Sequence, residues 1–126
     1  MPTRTIPSDE WSQFLDTFTR QQRSRTVSVR VSDPELGYQV EMTRVPFLGV
    51  SADLQAGGGP RIEVMVGTTE YDHTTHSVAK PTAVRLLEDD RGDAEVLELE
   101  GKDGSKTLVI LKPTAFGEPG SLVEKG

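Results

Sequence analysis

The sequence predicts an α+β domain that is mainly β. An N-terminal helix packs on a strongly bent antiparallel sheet, or small Sm-like or SH3-like barrel, of six to seven strands. Three observations predict this. One stretch near the N-terminus has a helical apolar period. From about residue 26 to 111 the period is two, broken by tight turns. No strand–helix–strand repetition occurs, so the crossovers of a parallel sheet are missing.

The helix begins near Ser8, a candidate N-cap, with Asp9 and Glu10 in the first turn. Trp11, Phe14, Leu15 and Phe18 follow at i, i+3, i+4 and i+7 and form one apolar stripe. The pattern ends near Gln22 to Ser24. "TVSVRV" then places Val27, Val29 and Val31 on one face. Asp33, Pro34 and Gly37 supply a turn. "YQVEM" and "LGVSADLQ" alternate again, and Pro46 between them marks an edge, a bulge or a break. "AGGGP" is a turn, because three glycines inside a strand cost too much entropy. "RIEVMV" and "TAVRLLE" are strands. "EVLELE" and "KTLVIL" form a hairpin through "GKDGS", where Gly101 and Gly104 can take positive φ. One domain covers residues 1–112, and residues 113–126 form a flexible C-terminal tail rich in proline and glycine.

A chain of 126 residues suffices for one packed core without covalent staples. The absence of cysteine excludes disulfides, thiolate metal sites and cysteine nucleophiles. The net charge of −6 argues against nucleic acid and anionic membranes as partners. No apolar run approaches the roughly 20 residues of a membrane helix, and "MPTRTIPSDEW" lacks the apolar middle of a signal peptide. The expected location is the cytoplasm.

"EYDHTTHSVAKP" is the most chemical-looking segment. It contains both histidines, His73 and His76, with Glu70 and Asp72 upstream. These four are the candidate metal ligands. On a regular strand, i and i+3 project to opposite faces, so His73 and His76 share a metal only if the loop folds back. The simpler expectation has His76 starting a strand with Val78 on its face, and His73 in the preceding loop. The spacing matches no HExxH pattern. "AGGGP" lacks the lysine and hydroxyl of a phosphate loop. Ser51 in "GVSAD" lacks the last glycine of a nucleophile elbow. The acidic run "LEDDRGDAEVLELE" fits no calcium loop and reads as a solvated loop and strand face. No catalytic residue and no cofactor is expected.

The order of "IPSDEWSQFLDTFTRQ", "VPFLGVSADL", "IEVMVG", "HSVAKPTAVRL" and "LELEGKDGSKTLV" resembles an uncharacterised bacterial family, domain of unknown function 5335. The resemblance runs from Ile6 to Leu111. It implies a bacterial cytoplasmic protein and a family histidine at His76, with no activity or cofactor attached. "GVSADLQAGGGPRIEVMVG" also resembles the second and third strands of Sm-like barrels. That likeness concerns fold alone.

The expected function is protein–protein binding or self-assembly, with a homo-oligomer or protein partner, through a strand edge near Pro46 or the helix face. The alternatives are a small-molecule or divalent-metal binder using the His73/His76 region, and an Sm-like RNA-binding module.

Overall fold

The computed structural model describes residues 3–35, 37–55, 57–69 and 71–111, and the side chains of Tyr38, Val40 and Glu41 are outside that description. The tail expected over 113–126, Glu70, and the Tyr38 and Val40 part of one predicted stripe therefore lie outside the described residues.

Helix α1 (Trp11–Gln22) follows a short 3-10 turn, Ser8–Glu10. The expected Ser8 cap is not formed: Glu10 occupies the N-cap position and makes no side-chain cap bond. The entry is fixed by other means. The buried Trp11 satisfies its indole N–H by donating to the Ile6 carbonyl at 2.9 Å. The Ile6 amide in turn donates to Val84 at 2.8 Å, which ties the helix start to the sheet. Trp11, Leu15 and Phe18 are buried as their spacing predicts. Phe18 meets Phe47 edge-on, with ring centroids 5.7 Å apart. The helix stops at Gln22, and Ser24 adopts φ +75, the left-handed position that commonly follows a helix.

The described residues contain eight strands: β1 (Thr3–Thr5), β2 (Thr26–Asp33), β3 (Gly37–Asp53), β4 (Arg61–Gly67), β5 (His73–Ala79), β6 (Pro81–Glu88), β7 (Ala94–Gly101) and β8 (Lys106–Ile110). Their order is β1-β6-β7-β8-β2-β3-β4-β5, and the pairings are antiparallel. The sheet is bent but not closed. Three differences from the expected pattern change the strand count, one being that His73–Ala79 forms a strand of its own, β5. The short β1 has no alternating pattern of its own and forms by pairing with β6. "YQVEM" and "LGVSADLQ" as far as Asp53 are parts of one 17-residue strand, and Leu54 lies beyond it, exposed.

That strand explains the bend. Straight, 17 residues span roughly 55 Å, whereas a domain of this size has a radius of gyration of about 14 Å. The N-terminal part of β3 pairs with β2, up to Thr26 opposite Pro46, and from Phe47 it pairs with β4. Register shifts lie on both sides of Pro46, so the proline sits among bulges rather than at a chain break. The bend turns both halves of the sheet toward one core. Val27, Val29, Phe47, Ile62, Val64, Val66, Val84, Leu97, Leu99 and Val109 are fully buried in it, together with Leu15 of the helix.

Helix and sheet are locked by Thr19. Its hydroxyl donates to the Val50 carbonyl and accepts from the Val50 amide, both at 2.9 Å. Gly49 makes this approach possible: a Cβ there would lie 3.1 Å from Thr19 Cγ2. Gly104 takes φ +90 in the β7–β8 hairpin, as expected. Gly101 does not take a positive φ. It is the buried last residue of β7, where a Cβ would lie 3.2 Å from the Ala79 carbonyl oxygen.

Candidate functional site

Asp72, His73 and His76 all belong to the β4–β5 hairpin. Thr68, Thr69, Tyr71 and Asp72 take part in closing it. The Thr68 amide donates to the Asp72 carbonyl at 3.2 Å, and Thr69 Oγ1 accepts from the amides of Tyr71 and Asp72 at 3.1 and 3.0 Å. The ladder runs up to this turn, so His73, opposite Gly67, is the first residue of β5. The expectation that His73 stays in the loop and the strand begins at His76 is corrected. The β-branched Thr74 and Thr75 between them favour the extended chain.

Along β5 the side chains alternate. His73 is exposed, while His76 is half-buried on the inner face with the buried Val78. Three residues of strand separate the two histidines by roughly 10 Å, on opposite faces. Asp72 stays exposed in the turn, with Thr68 Oγ1 3.4 Å from its carboxylate. Among the described residues no group of three His, Asp or Glu side chains is arranged to hold a metal ion. His76 has a different partner: its Nε2 lies 3.0 Å from Thr107 Oγ1 on β8. This contact crosses the interior, because β5 and β8 stand at distant places in the sheet order.

The free strand edges differ in how they are guarded. Sheet edges expose unpaired backbone groups, and proteins blunt them with short strands, charges, prolines or bulges. β1 is only three residues long and carries Arg4, 3.9 Å from Glu88. The Gly37–Pro46 part of β3 pairs with β2 across two register shifts and contains Arg44 at φ +55. β5 has none of these devices. Its seven residues, HTTHSVA, pair with β4 without a register shift and include no Lys, Arg, Asp, Glu or Pro. His73, Thr74, Thr75, Ser77 and Ala79 are exposed.

A groove of about 640 Å³ lies between α1 and the β6–β7 end of the sheet. Phe14, Leu86 and Ala94 give it an apolar lining, and Arg4, Arg25 and Glu88 supply charge of both signs. The Arg4 guanidinium stands 5.6 Å from the Phe14 ring centroid, within cation–π range. Arg25 Nη1 donates to Gln22 Oε1 at 2.8 Å.

The acidic run is less uniform than its composition suggests. Arg85 Nη1 bonds Glu98 Oε2 at 2.5 Å and Glu100 Oε1 at 2.9 Å. The hydrogen bonds to Glu100 and Glu98 push the Arg85 pKa up. Glu95 is not on a solvated face: it is 5% exposed, and its Oε1 has no hydrogen-bond partner among the described residues. The sequence signal was present but misleading. A register shift between Leu87 and Glu88 interrupts the simple in–out alternation beside Glu95.

A protein of Aquifex aeolicus (strain VF5), described as "Uncharacterized protein", is 28% identical over 113 residues, covering 90% of this chain and 95% of the relative. No solved structure matches the chain. The model of a family of unknown function, DUF5335, matches residues 2–119, which spans every strand and the helix described above. The chain belongs to that family.

Proposed function

We propose that the protein is a binding or assembly domain that takes up an extended strand from a partner along β5. The observation that carries this reading is the unguarded β5 edge: seven regularly paired residues with no charge beyond histidine, no proline and no bulge. Such an edge offers main-chain hydrogen bonds to an added strand, while exposed threonine and serine side chains can meet the partner's. The other two edges described above, β1 and the Gly37–Pro46 part of β3, are short or irregular and charged.

Native mass spectrometry of untagged protein from cells tests the reading. The wild type is compared with a Thr75→Lys/Ser77→Lys variant, whose two charges sit at exposed positions of the edge. The wild type is expected to emerge with at least one further polypeptide and the variant as a bare chain with an unchanged circular dichroism spectrum. A bare wild-type chain, or an assembly indifferent to the lysines, would overturn it.

The α1 groove favours a second reading, small-molecule binding. Its volume of about 640 Å³ is of the size usual for ligand sites. The same spectra would show a co-purifying small molecule, and Phe14→Glu should remove it.

A further inference from the structure

We infer that the strand taken up by β5 is β5 of a second copy, antiparallel about a two-fold axis through His76. This rests on the reading of β5 as the docking edge. Two features of the strand point to its own copy as the occupant.

The first is electrostatic. Each chain carries 14 Lys and Arg against 20 Asp and Glu, so two copies repel over most of their surfaces. The β5 edge is a place where they can meet without like charges. The strand itself has none of those residues, and the outer face of the neighbouring β4 carries Arg61 and Glu63 as an ion pair at 3.7 Å.

The second is register. Residues opposite one another in an antiparallel pair share a face, so the two-fold axis must pass through a residue and not between two. His76 is the middle of His73–Ala79, and an axis there pairs all seven positions. The exposed outer face then has Thr75 opposite Ser77 twice, a hydroxyl pair suited to cross-strand bonding. The two residues flanking the strand, Asp72 and Lys80, are both exposed. In this register Asp72 of each copy comes beside Lys80 of the other, at both ends of the interface. An axis at Thr75 would place Asp72 against Val78, and an axis at Ser77 would place Lys80 against Thr74. Only the central register gives both full overlap and two opposite-charge pairs. The result joins the two sheets edge to edge into one, in a closed isologous dimer with no β5 edge left free.

The cysteine-free sequence makes the test direct. Thr75→Cys and Ser77→Cys chains are prepared separately, mixed, and oxidised mildly. The expected product is a covalent dimer containing one chain of each kind, identified by mass. A predominance of Thr75→Cys homodimers or of Ser77→Cys homodimers would place the axis elsewhere and overturn the register. Sedimentation of the wild type should show twice the chain mass. Asp72→Lys and Lys80→Asp should each weaken the dimer by roughly tenfold at low salt, and the double reversal should restore it. Reversals without effect on the dimer, or singles whose loss the double does not restore, would overturn the charge pairing. A lysine-sensitive complex with a different polypeptide, and no homodimer, would overturn this inference while leaving the docking-edge reading intact. A homodimer indifferent to Thr75→Lys/Ser77→Lys would overturn both.

Discussion

His76 on β5 and Thr107 on β8 are joined by a 3.0 Å contact between Nε2 and Oγ1, across the interior of a sheet in which their strands are not neighbours. Thr107 is among the few buried polar residues, only 3% exposed, so its hydroxyl has limited access to water. The contact therefore links the outermost strand of one half of the sheet to a central strand of the other. It gives the histidine a structural role independent of metal or catalysis.

Removing either partner should loosen β5. His76→Ala is expected to cost about 1–3 kcal/mol, because a buried hydroxyl loses its partner and side-chain packing is lost with it. The double-mutant cycle with Thr107→Val should show a coupling of about 1 kcal/mol in urea unfolding. A coupling near zero would mean that the contact does not hold the two halves together.

The Thr19–Gly49 contact gives a prediction with a built-in rescue. Gly49→Ala pushes a methyl against Thr19 Cγ2, at 3.1 Å before relaxation, and should cost about 1–3 kcal/mol. Thr19→Ser removes that methyl and keeps the hydroxyl bonded to both backbone groups of Val50. Gly49→Ala should therefore be much milder in the Thr19→Ser background. Thermal melts of the four proteins check this, and equal penalties in both backgrounds would refute it.

Gly67→Ala should open the β4–β5 hairpin. Gly67 has φ +149, and a Cβ there would come within 2.5 Å of the Asp72 carbonyl oxygen and 2.6 Å of His73 Cα. These are backbone atoms, which cannot rotate away as a side chain can. The expected loss is at least about 2 kcal/mol, with amide exchange accelerating first in β5. Uniform acceleration across all strands would contradict a local opening.

The β7–β8 turn should be acid-sensitive in one direction. Asp103 accepts hydrogen bonds from the hydroxyl and the amide of Ser105, at 2.7 and 2.9 Å. The Ser105 hydroxyl is the larger cause, and these bonds hold the Asp103 pKa below its ordinary value of 3.8. A depressed carboxyl pKa stabilises the folded state above the unfolded pKa, and that contribution is lost as pH falls through the lower folded value. NMR titration should find the Asp103 midpoint below 3.8 in the wild type and shifted upward in Ser105→Ala. No upward shift in the variant would remove the proposed cause.

Much of the fold is legible in the residues themselves. Trp11, Leu15 and Phe18 repeat with helical spacing, and "RIEVMV" and "TAVRLLE" alternate, because apolar groups must share one face to leave water together. The turns at Gly37, at Gly58 and Gly59, and at Gly104 are set by local backbone sterics, since positive φ favours glycine. These are short-range effects, and one chain segment suffices to express them.

The rest was decided by partners distant in the chain. β1 is a strand only because β6 pairs with it, and β3 runs through Pro46 because β2 and β4 take up its two halves around the bulges. Glu95 is buried beside a register shift that no alternation rule anticipates. His76 shows the division most plainly. Its position facing inward with Val78 follows from strand periodicity, but its bond to Thr107, 31 residues away, exists only because the sheet bends back over its own core. Period and turn chemistry fix which residues face inward, and long-range strand pairing fixes which of them meet.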